Sequence, residues 1–296
     1  MLAGPLTAGL VITGLAALAA GCQRPAPVDV IAADGALCSI TRQLAGRDLR
    51  VRCLLGPNDD PHQLQLNPQQ SSQLRQARLL LINGYGLTPA LEKLPGAVRV
   101  AELAVSNSQR DPHVWHDPRQ AAALVAAVSQ RLQALEPKAA AAIANRAAAL
   151  TRTLTALDRW NRAQFATIPG SPSLASDHRA FSSLARAYQL RELPVVDSGS
   201  SSERLRPSSL SRVVQQLQQR RVASLFSEQL PASRSLERVS RLSGVPIAPQ
   251  PLRADAGGDN LIATLTANTC LIVEQLKGRC DNAGRQRLIQ AWTQTP

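Results

Sequence analysis

The sequence predicts an α/β fold: two β/α lobes with mostly parallel sheets, joined by one long rigid helix. Three observations carry this. Short apolar runs alternate with amphipathic stretches from residue 28 to residue 103, the pattern of strands joined by helical crossovers. The same rhythm returns from residue 173 to residue 276. Between them, residues 138–166 contain neither Gly nor Pro, and at the usual rise such a stretch makes a rod about 45 Å long.

In the first lobe the strands are read at 28–32, 49–55, 79–83 and 98–103, and the helices at 35–45, 69–77 and 89–94. Strands linked by helical crossovers run parallel. Asp117 and Pro118 open the next helix as an N-cap and a first-turn proline, and its Ala-, Leu- and Gln-rich sequence continues to Leu135. Glu136 and Pro137 then restart the chain as the long rod. Its apolar positions are too Ala-rich and too dense for a heptad seam, so it is read as a brace between lobes. Beyond Pro172 the strands are read at 173–176, 193–196, 222–226 and 245–248, and the helices at 180–188, 208–220, 233–243 and, last, 260–276. The expected divisions are a first lobe at 23–117, connecting helices including the long linker at 118–168, and a second lobe at 169–296. No repeat of fixed period is visible.

Lys+Arg number 33 against Asp+Glu 21, a formal net charge of +12. The excess is nearly all arginine, scattered at helical spacing, and 3 Trp, 3 Phe and 2 Tyr leave few platforms for stacked bases, so no nucleic-acid partner is expected. Residues 1–22 carry no charged side chain, and the apolar run 10–20 has the length of a signal-peptide core and is short for a bilayer span. It leads into Leu18, Ala19, Ala20, Gly21 and Cys22, a lipobox pattern, so residues 1–22 are read as a lipoprotein signal peptide and Cys22 as the lipidated residue, followed by a short polar, Pro-bearing tether. The expected place is the periplasmic or extracytoplasmic face, anchored to the membrane through that lipid. A buried N-terminal helix with an inert cysteine is the alternative. No Lys or Arg precedes the apolar run, which departs from the usual signal pattern.

The remaining cysteines, Cys38, Cys53, Cys270 and Cys280, form no C-x-x-C pair, so a thiolate zinc site is not expected. In an exported chain they are read as two disulfides; of three connectivities, proximity favours Cys38 with Cys53 and Cys270 with Cys280. The four histidines are more telling. His62 follows the second strand, His113 and His116 follow the fourth, and His178 follows the first strand of the second lobe, all in loops at the carboxyl ends of strands where open α/β sheets place ligands. Asp255 lies in another such loop. Imidazoles with one carboxylate suit a divalent transition metal, whereas calcium and magnesium favour oxygen.

The segments Asp60-Pro61-His62, Asp111 through Pro118 with His113 and Trp115, His178 through Phe181, Leu225 through Glu228, and Leu252 through Asp255 resemble, in order and spacing, the zinc/manganese solute-binding lipoproteins of ABC transporters. The resemblance covers nearly the whole exported chain. It implies two lobes on a rigid helix gripping one metal in the interlobe cleft through His62, His113, His178 and Asp255, with Zn2+ favoured by the third histidine and Mn2+ the other candidate. It also implies a monomer that hands its ion to a membrane permease and its ATPase, and no enzymatic activity. Glu228 is read either as supporting a ligand imidazole or as an ordinary strand-end carboxylate. His116 stands where the family often has an apolar residue; solvation at the helix start is favoured over a role beside the ligands. Arg179 replaces a common acidic residue, and the long His-rich loop of some members is absent. Two rival readings are a metal-dependent hydrolase using His113, His116 and Asp117, and an adhesion or structural lipoprotein with a stabilising metal.

Overall fold

Three side chains without solvent exposure, Val30, Ile31 and Ala32, form β1 (Val30–Ala32), the inner strand from which the first sheet grows. In this computed structural model residue 1 and residues 28–56, 59–106, 111–195, 207–255 and 260–295 are described; Cys22 and the rest of the leader lie outside the described residues. β2 (Val51–Cys53), β3 (Leu79–Ile82) and β4 (Ala97–Arg99) complete a parallel sheet of order β2-β1-β3-β4, with Val30 in register with both Val51 and Leu79. Helices α1 (Gly35–Ala45), α2 (Pro68–Gln76), α3 (Pro89–Glu92) and α4 (Val100–Ala104) connect the strands or follow them. Asp34 caps α1 by accepting from Leu37 N at 2.9 Å, and Asn67 with Gln70 forms a capping box on α2.

Asp117 and Pro118 do open α5 (Pro118–Leu135); a single 3-10 turn at Pro137–Ala139 then leads into α6 (Ala140–Phe165), whose 26 residues span about 39 Å. The second sheet contains β5 (Ser173–Ser176), β6 (Arg191–Glu192) and β7 (Leu225–Phe226), parallel and ordered β6-β5-β7. It is accompanied by α7 (Ser182–Tyr188), α8 (Pro207–Gln219) and α9 (Arg234–Ser243), and the chain ends with α10 (Leu261–Gln275) and α11 (Asn282–Thr293). In both sheets the chain leaves its first strand toward one edge and later crosses back to the other. That reversal opens a crevice at the carboxyl ends of the strands.

Several elements differ from expectation. The strand read at 98–103 stops at Arg99, and α4 takes over with Val100 and Ala101 buried and Glu102 and Leu103 exposed, a helical pattern. The strand read at 193–196 pairs earlier, at Arg191–Glu192, although Leu193 N and Val195 N still donate to the Leu174 and Ser176 carbonyls. The run 245–248 is reduced to one parallel bridge between Ile247 and Leu225. The helix read at 260–276 is followed by another, α11. Its first turn brings Gly284 so close to Trp160 that a Cβ would stand 2.7 Å from the indole nitrogen, so a larger side chain would not fit.

α6 contributes Ile143, Leu150, Leu154 and Leu157 to one apolar core, shared with Leu37, Leu44 and Leu124, and Phe165 to a second, shared with Phe181 and Phe226. α10 lies beside it and does the same: Leu261, Ile262 and Leu265 enter the first core, Leu271, Ile272 and Val273 the second. The joint between the sheets is therefore two helices wide. α11 adds Leu288 and Trp292 to the first core. Disulfides Cys38–Cys53 and Cys270–Cys280 tie α1 to β2 and α10 to the turn ahead of α11.

Candidate metal centre

His62, His113 and His178 each donate a backbone N–H to a carboxylate. Asp60 caps the turn Pro61–Gln63, accepting from His62 N at 2.8 Å and from the Gln63 amide at 2.6 Å. Asp111 accepts from His113 N at 3.0 Å and from His113 Nδ1 at 3.2 Å. Glu228, at the end of β7, accepts from His178 Nδ1 at 2.6 Å and from His178 N at 3.2 Å. With Nδ1–H donated to a carboxylate, the Nε2 lone pairs of His113 and His178 are left for another partner.

The three rings face one another, with centroids 5.4 Å (His62 to His113), 5.7 Å (His62 to His178) and 5.3 Å (His113 to His178) apart. One ring nitrogen from each lies within 4.8 Å of the others. His62 Nε2, His113 Nε2, His178 Nε2 and Asp255 Oδ1 are all buried without a hydrogen-bond partner, and Asp255 Oδ1 is 3.9 Å from His113 Nε2. Buried polar atoms are rarely left unpaired, because each forfeits its hydration. The three imidazole nitrogens form one donor group for a cation, and His62 shares a second with Asp60 and Asp255, whose ligand atoms also lie within 4.8 Å of one another. The structure thus brings His62, His113 and His178 together, with Asp255 beside His62 and His113.

Burial and the neighbouring His113 push His62 down to about 4, which keeps that ring neutral. Burial opposes the charged form of His178, but the bond to Glu228 and the negative charges of Glu228, Asp255 and Asp60 together outweigh it and the pKa is raised. Burial pushes Asp255 up to about 6. For Asp111, burial acts upward, and the bonds and charge of His113 together with the Ser183 hydroxyl overcome it, leaving the carboxyl below its ordinary range. Above the centre the crevice widens into a cavity of about 650 Å³ whose wall includes Asp59, Asp60, Asp177, Glu228, Arg253 and Asp255, an acidic approach for a cation.

His116 corrects the solvation reading. Its side chain is 1% exposed and its Nε2 donates to the Ala254 carbonyl at 2.7 Å. Burial pushes its pKa down to about 3, so it is a neutral donor and stands apart from the three-imidazole group. The His113–His116 pair that a hydrolase would use is therefore not part of the donor set. Asp111 was missed as a functional residue, although Asp-Pro-His occurs twice, at Asp60 and Asp111, and in both copies the Asp accepts from the His backbone. Asp111 also accepts from the Ser183 hydroxyl at 3.0 Å, linking the His113 loop to α7.

Residues 30–275 match the family model described as the zinc-uptake complex component A, periplasmic. The chain belongs to this family. Its members are solute-binding proteins of metal ABC transporters, not enzymes. The manganese ABC transporter substrate-binding lipoprotein PsaA of Streptococcus pneumoniae is 24% identical over 240 residues, covering 74% of this chain and 77% of PsaA. Among solved structures, the periplasmic zinc binding protein TroA of Treponema pallidum matches with a TM-score of 0.78 at 24% identity, over 85% of this chain and 99% of TroA. Fe(III)-bound YtgA of Chlamydia trachomatis matches with a TM-score of 0.79 at 22% identity, over 86% and 100%. These structures share the fold. The metals in the three names differ, so belonging to the family does not by itself select the ion.

Proposed function

We propose that this chain captures a divalent transition metal outside the inner membrane, Zn2+ in preference to Mn2+, and delivers it to an ABC permease driven by a cytoplasmic ATPase. His62 and His113 on the first lobe (23–117) and His178 and Asp255 on the second (169–296) would be the ligands, with 118–168 as the connector. The observation that carries this is the grouping of three unpartnered imidazole nitrogens, with the unpartnered Asp255 Oδ1 3.9 Å from that of His113. Three nitrogens and one oxygen suit the borderline-soft zinc ion better than manganese or ferric iron, both of which favour oxygen. Four protein ligands close a tetrahedral shell, whereas hydrolytic zinc keeps a position for water. Ligands drawn from both lobes also give the transporter a means of unloading: a shift of one lobe withdraws two of them.

The lipobox at Cys22 and the lipoprotein relative PsaA support anchoring through Cys22. The test is metal analysis of protein purified without chelator, followed by calorimetric competition between Zn2+ and Mn2+. One zinc per chain that manganese fails to displace is expected. Protein without zinc that binds manganese more tightly would overturn the choice of cargo.

A further inference from the structure

We propose that His116 is a positioning residue that locks the second-lobe donors onto the first lobe, a role that rests on the metal-capture reading above. It lies three residues after His113, in the turn Val114–His116, and its side chain crosses to both second-lobe loops that carry donors. Its Nε2–H donates to the carbonyl of Ala254, the residue before Asp255, at 2.7 Å across 138 positions of sequence. Its ring packs on that of Phe181, three residues after His178, with centroids 4.8 Å apart.

The Asp255 loop depends on such a strap. Asp255 Oδ1 has no hydrogen-bond partner, so its place follows from the backbone that carries it. That backbone is held at three successive residues, the first through Leu252 N, which donates to the Ser227 carbonyl at 2.7 Å. Asn268 of α10 accepts from Arg253 N at 3.0 Å and donates to Arg253 O at 2.7 Å, and His116 takes the next carbonyl. Asn268 holds the loop to α10; His116 holds it to the loop that bears His113. Ala254 is 2% exposed, so water does not easily replace the imidazole, and losing the donor leaves a buried carbonyl unpaired. An apolar residue here, as the resemblance leads one to expect, has no N–H to give. This chain therefore holds its carboxylate donor in place before the ion arrives, and metal release requires breaking the strap.

The test measures zinc affinity and dissociation rate on the full chain by chelator competition at pH 8. His116→Phe keeps the ring against Phe181 and removes the donor; His116→Gln keeps a donor and removes the ring; Asp255→Ala removes the proposed ligand. The lost bond predicts dissociation about tenfold faster in His116→Phe, with His116→Gln within about threefold of the parent chain. In the Asp255→Ala background His116→Phe adds less than about a twofold change, because the strap then positions nothing. A merely structural role would cost the same in both backgrounds, and that result overturns the inference. Should His116→Phe fail to fold, His116→Leu takes its place. An affected Asp255→Ala protein beside an unaffected His116→Phe protein overturns this inference alone. An unaffected Asp255→Ala protein overturns the ligand set, and the inference with it.

Discussion

Replacing Glu228 by Gln separates what this carboxylate does for metal binding from what it does for protons. In the parent chain Glu228 holds His178 by a 2.6 Å bond to Nδ1 and a second to its backbone N–H, and its side chain is 13% exposed. Hydrogen bonds to charged groups contribute about 1.5–3 kcal/mol and neutral ones about 0.5–1.5. Their midpoints differ by about 1.25 kcal/mol, which corresponds to roughly an eight- to tenfold loss of zinc affinity. The pH dependence runs the other way. Burial lowers the His178 pKa, and Glu228, with smaller help from Asp255 and Asp60, more than restores it, so the parent ring holds a proton to higher pH than an ordinary imidazole. Metal must displace that proton: parent affinity is flat above the raised pKa and falls about one decade per pH unit below it, more steeply once Asp255 also titrates near 6. Without the carboxylate the ring titrates lower and competes less. The Glu228→Gln protein should therefore bind about tenfold more weakly at pH 8, and the gap should narrow toward pH 5.5. Chelator-competition titrations at both pH values read this directly. Equal affinities at pH 8, or a gap independent of pH, would refute the reasoning.

His178→Glu exchanges a nitrogen donor for oxygen and should move preference from zinc toward manganese, read by competition calorimetry; an unchanged ratio would remove the donor-set argument for zinc. Zinc at a hundredfold excess over its Kd should raise unfolding free energy by about 2.7 kcal/mol, and a chelator should reverse this while leaving the chain folded, because its cores are apolar and include none of the proposed ligands. A metal-free chain that is unfolded by circular dichroism would favour the staple reading instead. Serine at both Cys38 and Cys53 should cost about 3 kcal/mol in a urea titration, from a sequence separation of 15; a loss below about 1 kcal/mol would mean that the unfolded chain is little constrained by this bridge.

Much of the architecture could be read from local chemistry. The run Leu79–Ile82 and the Gly- and Pro-free stretch through α6 announce a buried strand and a long helix with no help from distant contacts. Val98 to Leu103 misleads because a short apolar run fits both periods; burial of Val100 and Ala101 with exposure of Leu103 decides for helix only after packing. α11 gives a weak signal because Gly284 sits in its first turn, and its reason is Trp160, far away in sequence. The candidate site follows the same division. His62, His113, His178 and Asp255 were visible because each stands in a loop after a strand, and the repeated Asp-Pro-His could have exposed Asp111 too. The burial of His116 has no local cause: Phe181 and Ala254 are 65 and 138 residues away, and only the assembled crevice brings them to it.

X-ray absorption on the zinc-loaded protein addresses the central claim most directly. Three imidazole nitrogens and one carboxylate oxygen at about 2.0–2.2 Å are predicted, with no sulfur in the shell. A six-coordinate, oxygen-rich shell without imidazole scattering would contradict it.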